Sequence, residues 1–123
     1  MTSGSRGDAA VAEYLTEHGH TILDRNWRCG HLELDIVSMD KLGLHFVEVK
    51  TRSSDEALAP QEAVGAVKMK RLSAAAKMYL SRKGSRLGGS EVFFDIAAVL
   101  DRDNHLEINY FPNAFLPLGD SFL

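Results

Sequence analysis

The chain has 123 residues, enough for one domain built around a single core. An apolar share of 45% with 25% charged residues excludes a disordered chain, and no apolar run is long enough to cross a bilayer. The single Cys29 excludes an intrachain disulfide, the start Met1-Thr2-Ser3-Gly4-Ser5-Arg6 lacks the apolar centre of a signal peptide, and the expectation is a cytoplasmic protein with no membrane partner.

Residues 1–6 are expected to be a frayed tail, with one domain over residues 7–123. A helix is predicted from Gly7 to His18, because Val11, Tyr14, Leu15 and His18 share one face and Gly19 follows as a stop. Asp8 falls in its first turn, where a carboxylate suits the helix dipole. The five His and one Cys show no zinc-like spacing, and His18 and His20 read as surface residues at the helix end. His20 to Trp27 reads as a first strand.

The next two strands carry the chemistry. Leu32-Glu33-Leu34-Asp35-Ile36-Val37 alternates apolar and acidic residues, and Phe46-Val47-Glu48-Val49-Lys50 alternates again. Period-two alternation gives each strand one apolar and one charged face. Asp40-Lys41-Leu42-Gly43 between them suits a hairpin turn. A turn centred on Lys41-Leu42 puts Asp35 opposite Glu48 and Glu33 opposite Lys50, whereas a bulge at Gly43 shifts the pairing by one and separates the acids. Like charges directly opposite on a sheet are destabilising, and a divalent cation held by Asp35 and Glu48 is the simplest compensation. Lys50 points to the same side, so the set suits attack on a phosphodiester. The alternative is a solvated hairpin face whose charges alternate in sign.

Thr51 to Ala59 reads as a polar connection, and Pro60 suits the first turn of a helix running to about Arg82. Its buried stripe is Val64, Leu72, Ala75, Ala76, Tyr79 and Leu80, with Gly65 an interior weakness. Lys68 lies in line with that stripe and must either snorkel or meet an acid, for which the carboxylates on the sheet are candidates. From Ala63 to Ser90 there is no Asp or Glu, yet Lys68, Lys70, Arg71, Lys77, Arg82, Lys83 and Arg86 make up half of the 14 Lys and Arg. Net charge is −3, which by itself argues against nucleic acid, but this segregation is the footprint expected for a phosphate backbone. A solvated helix face is the competing explanation.

After a basic loop over Gly84–Ser90, the run Val92-Phe93-Phe94-Asp95-Ile96-Ala97-Ala98-Val99 reads as a central strand buried on both faces. Asp95 is its only charge and needs a structural partner. A turn at Asp101-Arg102-Asp103-Asn104 and a last strand from His105 to Phe111 follow, and the apolar tail Phe111–Leu118 is expected to pack on the body or on a second subunit. The order α-β-β-β-α-β-β predicts an α/β fold with a mixed sheet flanked by helices.

That order, with an acid on the second strand and Glu-x-Lys on the third, resembles the restriction-endonuclase-like PD-(D/E)XK fold. Gly7-Asp8, Tyr14-Leu15, Gly19, Ile22-Leu23, Arg25-Asn26-Trp27, Glu33-Leu34-Asp35-Ile36-Val37, Phe46-Val47-Glu48-Val49-Lys50-Thr51-Arg52, Ala63-Val64, Lys68, Arg71-Leu72, Tyr79-Leu80 and Phe94-Asp95 together resemble the YraN-type family of small bacterial proteins, related in fold to Holliday-junction resolvases. The resemblance implies Asp35 and Glu48 as ligands of Mg2+ or Mn2+, Lys50 as the third catalytic residue, and Glu33, Asp8 and Lys68 in support. It departs at Asp8, where the family usually has Glu, and at Leu32, where it often has Gly.

The expected activity is a metal-dependent nuclease acting on DNA, directed at branched or junction structures, with Arg52, Lys68, Lys70, Arg71, Arg82, Lys83 and Arg86 contacting phosphates. A homodimer would suit a four-way junction. The alternatives are a nucleic-acid-binding module of the same fold without turnover, and an interaction protein whose acidic hairpin meets a basic partner. No established activity accompanies the family.

Overall fold

The computed structural model describes residues 3–52, 65–83, 87 and 89–116. The elements are α1 (Ser3–Glu17), β1 (Thr21–Cys29), β2 (Leu32–Met39), β3 (Leu44–Arg52), α2 (Ala66–Lys83), β4 (Val92–Arg102) and β5 (His105–Phe115). The sequence-predicted order is therefore observed. The five strands lie side by side as β1-β2-β3-β4-β5, with β3 and β4 parallel and the other neighbours antiparallel. A parallel pair needs a crossover, and α2 lies within the one that joins β3 to β4.

α1 starts at Ser3 rather than Gly7, and Arg6 of the expected tail is 3.1 Å from Asp101 of β4. Its fully buried Val11 and Leu15 stand four residues apart and pack on Ile36, Val47, Ala97 and Val99. It ends in a Schellman motif, with His20 N donating to Leu15 O at 2.9 Å and Gly19 N to Thr16 O at 3.2 Å. Gly19 occupies the left-handed position, φ 89°, that this closure requires. Gly7 is needed for another reason: a Cβ there would sit 2.3 Å from Thr51 Oγ1, so only glycine lets α1 approach β3 this closely.

The opposite face of the sheet receives α2. Leu72, Ala75, Ala76 and Tyr79 bury against Leu34, Val37, Leu44, Phe46, Phe94 and Ile96. Burying each large apolar side chain contributes roughly 1.5–3 kcal/mol before the entropy of ordering the chain is subtracted. β4 is covered by both helices, which is why its sequence is apolar on successive residues. The predicted start of the second helix at Pro60, and Val64 of its stripe, lie outside the described residues.

β4 and β5 join through Asp103 and Asn104, both at positive φ (50° and 62°), a two-residue hairpin turn whose twist matches the strands. β5 runs four residues beyond the expected Phe111. Phe115 lies 5.0 Å from Phe94, so this part of the apolar tail packs on its own domain. No helix among the described residues is long and apolar enough to cross a membrane.

Candidate functional site

The hairpin between β2 and β3 takes the register that aligns its acids. Asp40 N donates to Gly43 O at 3.0 Å, and the Asp40 carboxylate accepts from the amides of Leu42 (2.9 Å) and Gly43 (3.2 Å). Pairing then proceeds without a bulge through Met39↔Leu44, Ser38↔His45, Val37↔Phe46 and Ile36↔Val47. One further step along that register sets Asp35 opposite Glu48. The paired segment ends there, and the Val49 amide donates to Asp35 Oδ2 at 2.9 Å. Glu33 and Lys50 are not paired as expected. Glu33 instead forms an ion pair at 3.1 Å with Arg28, its partner across β1.

Glu48 is 7% exposed and hydrogen-bonded to Asp35, with Lys68 Nζ of α2 3.2 Å from Oε2. Burial, then the hydrogen bond and charge of Asp35, push the Glu48 carboxyl up to about 9, against the opposing pull of Lys68. Burial thus favours the uncharged form of Glu48 beside Asp35. Asp8 approaches from α1; burial first and the charges of Asp35 and Glu33 next raise it to about 6, with Arg25 opposing. Residues from both helices and both strands thus meet where the β2–β3 pairing ends. Two acids stand opposite each other, and both offer hard oxygen donors of the kind Mg2+ and Mn2+ take.

Lys68, aligned with the buried stripe, meets the acid that its position called for. Lys50 is half-buried two residues beyond Glu48, and no ion pair reaches it among the described residues. Arg52 is half-buried at the end of β3. Lys70, Arg71 and Arg82 are exposed on α2, whereas Lys83 lies 3.7 Å from Asp24 and over the Tyr79 ring. Asp24 also accepts from the Tyr79 hydroxyl at 2.8 Å, and these residues line a groove of about 300 Å³ with Leu23 and Leu87. Arg86 lies outside the described residues.

The histidines depart most from expectation. His18 is exposed and stacked on Tyr14. His20, expected at the surface, is half-buried and hydrogen-bonded to Ser38 Oγ at 2.9 Å. It stands beside Asp40 and the buried His45. Residue spacing could not reveal this group, because three separate segments supply it. The available signal was Asp95, a lone carboxylate in a doubly covered strand that needed a partner; His45 is that partner, at 2.7 Å.

A family model described as "Uncharacterised protein family UPF0102" matches residues 7–99. A UPF0102 protein of Syntrophotalea carbinolica is 44% identical over 115 residues, covering 94% of this chain and 92% of its own. One from Bacteroides thetaiotaomicron is 41% identical over 114 residues, covering 93% and 92%. Among solved structures, SfsA of Pyrococcus furiosus in complex with Ca2+ is similar at a TM-score of 0.43 and 18% identity, over 88% of this chain and 63% of its own.

Proposed function

The chain belongs to the uncharacterised family UPF0102, and from that premise we propose that it is a divalent-metal-dependent nuclease acting on DNA phosphodiesters, with branched or junction DNA as substrate. The observation that carries the reading is geometric: the buried Glu48 carboxyl stands opposite Asp35, one step beyond the Ile36↔Val47 pair. Two carboxyls held this close and largely out of water repel each other, and a cation between them relieves that cost.

Asp35 and Glu48 would hold Mg2+ or Mn2+, beside the Val49 carbonyl. Such an ion, when bound, lowers the pKa of an attacking water and offsets charge on the phosphoryl oxygens. The chain's own residues do the rest. Lys50 orients the water or stabilises the developing oxyanion from the same strand. Asp8 and Glu33 add negative potential beside Asp35, which favours a cation there. The exposed Lys70, Arg71 and Arg82 of α2, with Arg52, hold flanking phosphates without reading bases. Cutting a four-way junction on both strands asks for two copies of the chain.

One observation favours a binding module without turnover: the Lys68 ammonium, 3.2 Å from Glu48, already supplies positive charge at the acid pair. Calorimetric titration of Mn2+ into wild type and Asp35→Asn separates the two, followed by cleavage assays on four-way junctions, flaps and single strands. Nuclease function requires that wild type bind Mn2+ and cut one of these substrates while Asp35→Asn does neither. DNA binding without Mn2+ uptake selects the module.

A further inference from the structure

We propose that His20, Asp40 and His45 form a second metal site, suited to Zn2+, at the turn end of the β2–β3 hairpin. It is separate from the acid pair: Asp40 lies five residues along the strand direction from Asp35, roughly 16 Å at about 3.3 Å per residue.

The donors converge in the manner of a zinc site. His20 Nε2 is 3.4 Å from Asp40 Oδ2, and His45 Nε2 is hydrogen-bonded to Asp40 Oδ1 at 2.8 Å, a bond whose proton the ion would displace. One donor atom from each residue lies within 4.8 Å of the others. Bonds of about 2.1 Å in a tetrahedron place donors about 3.4 Å apart, the spacing that His20 Nε2 keeps from Asp40, while His45 Nε2 need move only about 0.6 Å outward to reach it. The two imidazoles are 4.6 Å apart between centroids and inclined by 57°, and both Nε2 atoms approach the one Asp40 carboxylate.

The outer partners are those that metal-bound histidines require. His20 Nδ1 is hydrogen-bonded to Ser38 Oγ at 2.9 Å, and His45 Nδ1 to Asp95 Oδ2 at 2.7 Å. Each bond fixes the ring and directs Nε2 inward. Asp95 is itself immobile: fully buried, it accepts from the Tyr110 hydroxyl and, at 2.7 Å, from the Asn113 amide. Asp40 Oδ1 takes the Leu42 and Gly43 amides and, before metal enters, His45 Nε2, which leaves Oδ2, the oxygen nearest His20, for the ion. Two imidazoles with one carboxylate select zinc over magnesium, which prefers all-oxygen ligands. The ion would pin the start of β1, the hairpin turn and the start of β3 to one another, a structural role.

The test is direct Zn2+ titration into the full chain, by calorimetry and by the thermal midpoint, with Co2+ absorption as a second probe of four-coordinate geometry. With excess Mg2+ present to occupy the acid pair, wild type is expected to bind one Zn2+ and to gain several degrees in midpoint. Asp35→Asn should bind it equally, while His20→Gln and Asp40→Asn should each lose at least tenfold in affinity. Asp40→Asn retains an oxygen to cap the turn, and His20→Gln leaves the His45–Asp95 bond intact, so each variant can report if the other misfolds. The proposal is overturned if wild type takes up no Zn2+, if both site variants bind it unchanged, or if Asp35→Asn abolishes uptake and so places the ion in the acid pair.

Discussion

Glu48 stands beside Asp35 at the end of the β2–β3 pairing, and its carboxyl is held above the usual carboxylate range although Lys68 lies 3.2 Å from the same glutamate. Burial decides the outcome: an ammonium that is partly solvated does not offset the cost of two adjacent carboxylates, one of them almost out of water.

Stability without metal should therefore fall as pH rises. Below about 4.5 Glu48 is protonated both folded and unfolded; between there and about 9 only the folded chain retains the proton, so each further pH unit favours unfolding until the folded group also ionises. Asp8 adds the same sign between 3.8 and about 6. Glu48→Gln keeps a donor to Asp35 without an ionisable proton. Urea unfolding at pH 8 should show it about 1–3 kcal/mol more stable than wild type, with the alkaline decline flattened; equal curves would mean that the Glu48 carboxyl is not raised in the folded chain.

Lys68→Met should separate metal affinity from substrate handling. Removing a positive charge beside Glu48 favours another cation, so Mn2+ affinity should rise several-fold. DNA affinity should change little over the same substitution, because that ammonium already faces Glu48. Weaker Mn2+ binding in calorimetry would mean that Lys68 positions the acids rather than competes with the ion.

Gly7→Ala forces a Cβ to within 2.3 Å of Thr51 Oγ1 and should cost about 1–3 kcal/mol. The Thr51 Cβ is 3.6 Å from that position, an ordinary contact, so adding Thr51→Ala should recover most of the loss. A double-mutant cycle measured by thermal unfolding checks this, and additive effects would show that α1 and β3 are not held together at this point.

DNA binding through α2 predicts a steep loss of affinity with salt. Replacing Lys70, Arg71 or Arg82 singly by Ala should lower the slope of log affinity against log salt by about one each, without changing sequence preference. Lys83→Ala should change it less, because that ammonium already faces Asp24.

The order of elements was legible because it rests on periodicity. Val11 with Leu15, and Leu72 with Tyr79, carry the helical spacing, while β4 reads as a run of apolar residues. The Asp35–Glu48 opposition was legible only conditionally. It depended on whether Gly43 would bulge, and the bonds from Asp40 to the Leu42 and Gly43 amides decide that in favour of direct pairing. What periodicity cannot carry is contact between distant segments. Arg6 with Asp101, Tyr79 with Asp24 and His45 with Asp95 each span dozens of residues, and no local pattern announces such partners.

The parallel seam between β3 and β4 also orders the assembly in time. The β1–β2–β3 meander and the β4–β5 hairpin each close over short turns, but Leu44 finds Val92 only after the whole crossover has been brought round. Long-range parallel pairing is the slow step in chains of this kind. The acid pair, lying wholly within the meander, can form before the sheet is whole, while Lys68 reaches Glu48 only with the crossover. The His45–Asp95 bond, 50 residues apart in the chain, crosses the seam itself, so it marks the moment at which two halves become one molecule.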